Sequence, residues 1–525
     1  MLKSLLGLCL AAICFVPSLG RDTAGVAFFN YAELADLYNR GGNTFELESR
    51  LDRLLITPFV SNENAAPSDL SRSDVLGEFI RVANWNIERG IEYPALEAGF
   101  AGDEELAAYL DPKKFPAGST ARREILDQAA QLRRADVIVL NEVDWGIKRS
   151  GYRNIAAELA RRLGLNYAFG VEFLELSPLH LSSRDRDGAI HTEEAAMRAV
   201  DSERYKGMHG IAILSRFPLE NVRLVPYKHQ PYNWFEGEIK GVSLLEKARR
   251  KLVKEIFLEG ALCEVRRGGR TILMADIVDT RIPGGRTTIV GTHLEIRTSP
   301  ENRRLQLAEL LSTIRDISNP VIVAGDMNTS TTDMTPTSIA RELQMRFGKP
   351  EYLVKQGVNL LLGLGIFEDA AMASLTFGRN HGDPTVRHIP ILMPNSERRF
   401  FSLLKDFRFA DGGAFDFRGE ASRSWTGKRN TLANSNERDK KGFVTTFRLE
   451  RPVKFIGRYK LDWIFVKPAS LSNPSDYQAS YAFAPHFGRT LGAVNSIADK
   501  RISDHSPMIL DLPLTEPNIQ KRIEK

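Results

Sequence analysis

The chain has 525 residues, of which 43% are hydrophobic and 26% charged, which is the composition of a globular protein rather than a disordered one. It carries 71 Lys and Arg residues against 66 Asp and Glu residues, so its net charge of +5 neither requires nor excludes an anionic partner. The length leaves room for one enlarged domain or two ordinary ones. No repeat of fixed period and no low-complexity tract is visible.

The first twenty residues have the pattern of an export signal. Lys3 supplies a positive charge, Leu5 to Val16 is a short apolar run, and Ser18-Leu19-Gly20 offers small residues for cleavage. The run is short for a segment that spans a bilayer. We therefore expect a signal peptide at residues 1–20 and an exported protein, secreted or periplasmic, whose mature chain begins near Arg21.

Cysteine usage fits export without disulfides. Cys9 and Cys14 lie within the expected signal, so only Cys263 remains in the mature chain and no internal disulfide can form. We expect Cys263 to be a small core residue rather than a nucleophile.

Residues 21–78 predict a helical N-terminal extension, with helices at Tyr31–Tyr38 and Phe45–Ile56. The polar stretch from Ser61 to Ser73 predicts a loop. From Phe79 onward, short apolar strands alternate with amphipathic helices, which is typical of an α/β fold with a shared core.

Helices are predicted at Arg153–Leu163 and at Pro300–Ile317, where Ser299 suits the N-cap and Pro300 suits the first helical position. The predicted strands are Ile80–Ile87, Val137–Leu140, Ile211–Ser215, Ile272–Val278, Thr287–Leu294, Val321–Ala324 and Leu461–Val466.

Two stretches interrupt this alternation and read as insertions. Residues 236–255 are charged and helical in pattern, and residues 334–457 combine apolar helical patterns with a Gly- and Arg-rich section. We expect one domain at residues 79–515 that carries both insertions, followed by a polar tail at residues 516–525. Insertions of this kind are usually surface elaborations, and they also flank the rims of active sites.

Several apolar strands contain, or end in, a polar residue that a buried strand would not favour. Any one of these residues is readily explained as a helix cap, a turn former or a paired structural group, but six such segments in one chain indicate a common cleft. The residues are Asn84, Asn86, Glu142, His293, Asp326, Asn328, Asp462, Asp504 and His505.

These side chains suit a hard cation. Mg²⁺ prefers carboxylate and amide oxygens and shares its coordination with substrate phosphates, and Mn²⁺ or Ca²⁺ would accept similar ligands. A zinc site is disfavoured because the chain has neither a cluster of cysteines nor an HExxH motif. The GxSxG and GxxxxGK[ST] motifs are also absent, which argues against a serine hydrolase and a P-loop enzyme.

The segments RVANWNIERG, ADVIVLNEVD, HGIAILSRFPL, THLEIRTSPENRRLQ, VAGDMN, LDWIFV and SDHSP follow one another in an order that resembles the endonuclease/exonuclease/phosphatase superfamily. The superfamily includes pancreatic-type deoxyribonucleases, abasic-site endonucleases, neutral sphingomyelinases and inositol-polyphosphate phosphatases. The resemblance covers Arg81–Leu512 apart from the insertions, and the motifs are specific as a set. It implies an α/β (α+β) four-layer sandwich, in which helices flank two packed mixed β-sheets, and metal-assisted in-line attack of water on phosphorus.

The resemblance also assigns roles. Glu142 matches the family's metal-binding Glu, Asn86 matches the Asn that contacts metal or phosphate, and Asp504 would lie near the metal. For catalysis, the matching residues are Asp326 (water activation), Asn328 (phosphate or water), His505 (scissile phosphate), Asp462 (orientation of His505) and His293 (leaving group).

One departure concerns His293. In the deoxyribonucleases a Glu on the neighbouring strand partners the corresponding His, whereas the corresponding region here reads Met208-His209-Gly210-Ile211. His209 either faces the cleft or is structural, and the sequence leaves both interpretations open.

The leading hypothesis is a nuclease that hydrolyses nucleic-acid phosphodiester bonds, because the THL motif is closer to the nuclease branch than to the inositol phosphatases. Basic clusters at Arg149–Arg153 and Gly427–Asn430 would then line its groove or be solvated surface. The alternative is a sphingomyelinase-like or inositol-phosphate phosphoesterase, with Phe235–Phe257 and Val358–Phe367 as candidate contacts to membrane lipid. A non-catalytic binding module is less favoured, since every core motif is present. No obligate protein partner is indicated.

Overall fold

The computed structural model describes residues 27–39, 44–176, 200–239, 265–329, 397–427, 435–439, 442–453, 456–497 and 501–517. The expected signal peptide and its cleavage site lie outside the described residues, as do Cys263, most of both predicted insertions, the Val358–Phe367 stretch and Lys428–Asn430.

Eighteen strands and nine α-helices are found in the described residues. The strands are β1 (Phe59–Ser61), β2 (Ser71–Ser73), β3 (Gly77–Asn86), β4 (Val137–Trp145), β5 (Asn166–Glu175), β6 (Met208–Ser215), β7 (Leu219–Pro226), β8 (Arg266–Gly268), β9 (Thr271–Val278), β10 (Arg286–His293), β11 (Val321–Asp326), β12 (Arg438–Asp439), β13 (Gly442–Phe443), β14 (Phe447–Val453), β15 (Ile456–Tyr459), β16 (Asp462–Lys467), β17 (His486–Thr490) and β18 (Met508–Pro513). The helices are α1 (Tyr31–Asn39), α2 (Thr44–Leu54), α3 (Tyr93–Gly99), α4 (Asp103–Tyr109), α5 (Thr120–Arg133), α6 (Ile155–Leu163), α7 (Trp234–Ile239), α8 (Pro300–Ile314) and α9 (Arg398–Asp406). Within these ranges every helix is too short or too polar to span a bilayer.

The strands form two large mixed sheets. Nine strands make the larger sheet, in the order β1-β5-β6-β4-β3-β18-β17, with β2 on β3 and β8 on β5. Five strands make the smaller sheet, in the order β16-β11-β10-β9-β7. The pairs β3–β4 and β10–β11 are parallel, and the remaining pairs in both sheets are antiparallel.

Alternate residues of each strand enter different cores, because successive side chains of a strand point to opposite faces. Val82 and Ile322 lie in the apolar core between the sheets, whereas Trp85 packs with helices α5 and α6 on the outer face of the larger sheet. Helices α8 and α9 cover the outer face of the smaller sheet around Trp463. The arrangement is the predicted four-layer sandwich, and the fold class is confirmed.

The seven predicted strands and the four predicted helices are all present, with ends that differ by a few residues. The predicted loop from Ser61 to Ser73 is wrong at both ends, because Ser61 pairs with Tyr167 and Ser71–Ser73 pairs with β3. Three-residue edge strands are too short to show a period of two, and the polar sequence Ser-Arg-Ser lacks the apolar residues that would mark a strand.

Candidate active site

Strand ends from both sheets meet at one edge of the sandwich. Asn86 ends β3 and Glu142 lies in the parallel neighbour β4, both in the larger sheet. His293 and Asp326 end the parallel strands β10 and β11 of the smaller sheet and lie opposite each other in register. Asp462 begins β16 and is the antiparallel partner of Asp326. Packing of the two sheets brings these polar ends together.

Asp326 lies at the centre of the cluster and is buried. Its Oδ1 accepts the Asn328 backbone N–H at 2.8 Å and its Oδ2 accepts Asn86 Nδ2 at 3.1 Å. Its own backbone N–H donates to Asn141 Oδ1 at 2.9 Å, across the two sheets. Burial raises the pKa of Asp326 to about 6, and the nearby charge of His505 opposes that rise. The carboxylate is therefore suited to accept a proton near neutral pH.

His505 is buried and is oriented by Asp462, whose Oδ2 lies 2.7 Å from Nδ1. The other ring nitrogen, Nε2, lies 3.6 Å from Asp326 Oδ2. Burial opposes the charged form of His505, but the carboxylates of Asp462 and Asp326 raise its pKa well above the ordinary value. The ring of Phe447 packs edge-on against the imidazole at 5.0 Å. The arrangement holds an imidazolium beside Asp326, as anion stabilisation requires.

Glu142 lies where β4 departs from regular pairing. The register with β6 shifts between Leu140 and Val143, and Glu142 has a φ of 53°. Such bulges redirect a side chain and are common beside active sites. Glu142 Oε1 accepts Asn86 Nδ2 at 3.3 Å, and Oε2 lies 3.6 Å from Arg89 Nε. Burial alone would raise the pKa of Glu142, but Arg89 and other nearby cations lower it below the ordinary value, so the carboxylate is ionised.

Asp504 occupies the loop before β18, and its side chain is 26% exposed. Its backbone N–H donates to Glu88 Oε2 at 2.9 Å, which ties this loop to the end of β3. Ser503 makes a second tie, since its hydroxyl donates to the Asn86 carbonyl at 2.7 Å. Asp504 Oδ1 lies 4.0 Å from His505 Nε2. The loop therefore adds a carboxylate and an imidazole to the same cleft.

His293 is held by a buried ionic pair that the sequence analysis missed. Arg270 Nη1 donates to His293 Nδ1 at 2.8 Å, and Glu172 of β5 pairs with Arg270 at 3.3 Å. The carboxylate that was sought at Met208–Ile211 of β6 thus comes from the adjacent strand, and its Oε2 lies 3.9 Å from Nδ1. Burial, followed by the charge of Arg270, lowers the pKa of His293 well below the ordinary value. The ring is therefore neutral, and its Nε2 lies 3.1 Å from Asn328 Nδ2 and 3.5 Å from Asp326 Oδ2.

His209 belongs to a separate buried network beside the cleft. Its Nδ1 lies 2.8 Å from Asp144 Oδ1, and Asp144 also accepts Arg149 Nε at 2.6 Å. Arg149 in turn donates to Glu175 at 2.8 Å. Of the two interpretations left open for His209, these contacts favour the structural one.

The same contacts change the interpretation of the first basic cluster. Arg149 is buried and paired, so it offers no charge to a bound strand. Arg153 is partly exposed but pairs with Glu158 at 2.6 Å. The hypothesis that Arg149–Arg153 lines a nucleic-acid groove is therefore wrong for Arg149, because Asp144 and Glu175 neutralise it.

Asn84 is the one predicted polar residue whose side chain makes no hydrogen bond to the cluster among the described residues. It is fully buried, and neither amide atom has a hydrogen-bond partner there. It shares a strand face with Asn86 but lies about 6.6 Å further into the core, two residues back along the strand. Asn141, by contrast, was missed although it lies next to Glu142. A polar residue inside the apolar run VIVLNEV was the available signal.

The donors fit a divalent cation. Within the described residues, Asp326, Asp462 and His505 form a group of three possible ligands, whose ligand atoms lie within 4.8 Å of one another. The hydrogen bond from His505 to Asp462 already accounts for that trio, and an imidazolium has no lone pair to offer a metal. Glu142 and Asp504 are the more accessible carboxylates, with 23% and 26% of their side chains exposed, and oxygen donors of this kind suit a hard cation.

The sequence matches the Endonuclease/Exonuclease/phosphatase family over residues 83–505. Among solved structures, an endonuclease/exonuclease/phosphatase from Beutenbergia cavernae DSM 12333 is 17% identical, with coverage of 83% of this chain and 72% of that chain and a TM-score of 0.36. A 3'-5' exonuclease from Neisseria meningitidis is 12% identical, with coverage of 82% and 99% and a TM-score of 0.37. An AP endonuclease from Archaeoglobus fulgidus is 13% identical, with coverage of 82% and 99% and a TM-score of 0.34. Among curated protein sequences, none matches this chain.

Proposed function

Because the chain belongs to the endonuclease/exonuclease/phosphatase family, we propose that it is an exported, magnesium-dependent nuclease. The family consists of metal-dependent hydrolases that act on phosphoester bonds, and this chain is a phosphoesterase of that family. The proposal goes further in naming nucleic acid as the substrate, Mg²⁺ as the cation and export as the destination.

The observation that carries the proposal is the position of Asp326 between two imidazoles, one charged and one neutral. His505, charged, lies 3.6 Å from Asp326 Oδ2, and His293, neutral, lies 3.5 Å from the same atom. A carboxylate so placed accepts a proton from water, while the two rings face a phosphate that lies above it. A binding module would not need this combination of one acceptor and two donors.

In the proposed reaction, Asp326 orients the attacking water and removes its proton. His505 Nε2 donates to a non-bridging oxygen and offsets the charge that grows on phosphate as attack proceeds. In the tautomer that the contact from Arg270 to Nδ1 favours, His293 Nε2–H donates a hydrogen bond to the phosphate. The same ring is a poor proton donor to the leaving oxygen, because Arg270 holds it in the neutral form. This departs from the leaving-group role that the resemblance implies for His293.

Glu142, Asn86 and Asp504 would hold the cation, which supplies Lewis-acid polarisation of the phosphate when bound. Asn86 presents its Nδ2 to Glu142 and to Asp326, and so holds the two carboxylates at a fixed separation. Mg²⁺ is preferred over zinc because the available donors are carboxylates and amides rather than thiolates or neutral imidazoles.

The test is a substrate panel with purified mature protein. Plasmid DNA, RNA, sphingomyelin, inositol phosphates and an aryl phosphodiester are each incubated with Mg²⁺ or Mn²⁺, and again with EDTA. We expect cleavage of nucleic acid and of the aryl diester that EDTA abolishes. If sphingomyelin or inositol phosphates are hydrolysed while the nucleic acids remain uncleaved, nucleic acid is not the substrate. Full activity in EDTA would overturn metal dependence.

A further inference from the structure

An arginine-lined cleft of about 370 Å³ opens beside the active site. Its lining includes Arg448, Arg489, Arg501 and Trp425, and its floor includes Thr446 and Ser506. We call it the arginine cleft.

The floor of the arginine cleft is built by the segments that hold the catalytic groups. Ser506, which follows His505, donates its backbone N–H to the Thr446 carbonyl at 2.7 Å. The Thr446 hydroxyl accepts the backbone N–H of Asp462 at 3.2 Å. The Arg448 backbone N–H donates to the Asp504 carbonyl at 2.9 Å. A ligand in this cleft is therefore adjacent to the loop that carries His505.

The cations of the cleft repel one another. Arg448 is exposed and has no carboxylate partner among the described residues, and the same is true of Arg458, its antiparallel partner on β15. Arg501 donates to the backbone carbonyl of Arg448, which uses a neutral acceptor and leaves its charge in place. Like charges gathered in this way are relieved by a bound anion.

An aromatic face accompanies these charges. Trp425 is 41% exposed although it is large and apolar, and the Arg489 guanidinium lies 4.4 Å from its ring centroid. Among the described residues, the carboxylate that contacts the Arg489 guanidinium is Asp127, at 3.5 Å, and its side chain is 62% exposed. An exposed indole beside guanidinium groups is the combination on which nucleic-acid bases stack while their phosphates are bound.

Carboxylates at the cleft are engaged by the protein. Glu437 Oε2 accepts the backbone N–H of Thr490 at 2.9 Å, and Glu124 Oε1 accepts Gln128 Nε2 at 3.0 Å. They mark the wall on which a phosphate would not lie. Because both carboxylates keep their charge, we expect a phosphate to lie beside Arg448 and Arg501 rather than beside Glu124 or Glu437.

We propose that the arginine cleft binds a single-stranded nucleic acid next to the scissile phosphate, with Arg448 and Arg501 on a flanking phosphate and Trp425 stacked on an unpaired base. This inference rests on the proposed nuclease function and adds the strandedness of the substrate. A substrate with one phosphate would leave the arginines unused, and a fully paired base could not reach the indole face.

The experiment compares two substrates with the full-length mature protein. One is a labelled oligothymidylate of about 12 nucleotides, long enough to fill a single-strand binding groove. The other is bis(4-nitrophenyl) phosphate, which is too small to occupy the arginine cleft and the active site together. The variants are Arg448→Ala and Trp425→Leu, with Trp425→Phe to restore stacking. The matched control is Arg72→Ala. Arg72 is an exposed arginine on β2, and β2 pairs with the end of β3 that is furthest from Asn86.

We expect kcat/KM for the oligonucleotide to fall about tenfold in Arg448→Ala and Trp425→Leu, mainly through KM, with little change for the small diester. Trp425→Phe should recover most of the loss. The slope of log kcat/KM against log salt should become shallower by about 0.7 in Arg448→Ala, as expected for one lost phosphate contact on a single strand. Arg72→Ala should match the wild type on both substrates, and thermal unfolding should be unchanged in all four variants.

The outcomes separate this inference from the proposed function. If the wild-type protein cleaves the oligonucleotide and the cleft variants lose nothing, or lose equally on both substrates, the arginine cleft is not a strand-binding site and the nuclease assignment stands. Faster cleavage of duplex than of single-stranded nucleic acid by the wild type would also overturn the inference that the arginine cleft binds a single strand. If the wild type hydrolyses the small diester but no nucleic acid, the proposed function fails and the inference with it.

Discussion

Asn141 of the larger sheet accepts the backbone N–H of Asp326 of the smaller sheet at 2.9 Å, and so the position of the central carboxylate depends on a side chain from the opposite sheet. The same amide donates to the Thr292 carbonyl at 3.0 Å. The two bonds bridge the ends of β10 and β11 to the middle of β4. Asn141 therefore makes the position of Asp326 depend on how the two sheets are placed against each other.

Asn141→Ala should lower both stability and turnover. It leaves the Asp326 N–H and the Thr292 carbonyl buried without partners, which costs roughly 2–4 kcal/mol of unfolding free energy. Displacement of Asp326 should also lower kcat at least about tenfold, because small misplacements of a catalytic group are costly. Denaturant unfolding and steady-state kinetics measure the two effects.

The control is Asn166→Ala, since Asn166 is a buried amide with the same pair of bonds, to the backbone N–H and carbonyl of Asn64. It begins β5, at the end of the sheet away from the site. We expect a similar loss of stability and an unchanged kcat. A loss of kcat in Asn166→Ala as large as that in Asn141→Ala would show that the effect on turnover comes from general destabilisation.

A residue of the site could be predicted from the sequence only where the residues next to it form a recognisable pattern. Asp326 and His505 follow or interrupt apolar runs at motif positions, and they could be predicted without the fold. Glu172 lies in the run FGVEFLE of β5, a strand that the sequence analysis did not identify, so its polar residue went unnoticed. Arg270 precedes β9 in a polar turn, where nothing distinguishes it from a solvated arginine. Its pairing with Glu172 depends on residues 98 positions apart, which local patterns cannot report.

Glu142→Gln should weaken the dependence on the cation without changing the fold. The substitution preserves shape and removes one ligand charge, and we expect the Mg²⁺ concentration for half-maximal rate to rise at least about tenfold. The matched control is Glu158→Gln, which should leave that concentration unchanged. Glu158 lies on α6 and forms an exposed ion pair with Arg153. An unaltered Mg²⁺ requirement in Glu142→Gln would place the cation elsewhere.

His486 should make the folded state sensitive to acid. Its ring is buried, Nδ1 donates to the Ala484 carbonyl at 2.8 Å, and Nε2 has no hydrogen-bond partner among the described residues. Burial, followed by the charge of Arg423, lowers the pKa of His486 to about 3. Below pH 6.5 the unfolded chain therefore gains a proton that the folded chain does not, and stability falls by about 1.4 kcal/mol per pH unit until pH 3.

The measurement is the free energy of unfolding at pH 7.5 and pH 5 for the wild type and His486→Gln. Other groups titrate equally in both proteins, so the difference isolates His486. We expect the wild type to lose about 2 kcal/mol more than the variant between these pH values. Parallel losses in the two proteins would mean that His486 becomes protonated in the folded state without penalty.

Export should remove the first residues of the chain. Protein recovered from culture supernatant or periplasm should have its N-terminus near Arg21, as read by mass spectrometry of the intact protein. Recovery of the soluble protein from the cytoplasm with Met1–Gly20 still attached would refute export by this signal.

The central claim is that Asp326 and His505 perform one chemical step together. Asp326→Asn removes the proton acceptor and preserves shape, and His505→Ala removes the charge that stabilises the phosphate. Each should lower kcat at least about 10²-fold with a much smaller change in KM. Because they serve one step, the double variant should lose less than the sum of the two free energies.

The most direct test is kcat of Asp326→Asn on the substrate that the panel identifies, measured beside its melting temperature. The account predicts a loss of at least about 10²-fold in kcat with a melting temperature that does not fall, since active-site carboxylates are commonly destabilising. Near-normal kcat would contradict the assignment of Asp326 as the group that activates water. A large fall in melting temperature would instead indicate that Asp326 serves the fold through its bonds to Asn86, Asn141 and Asn328.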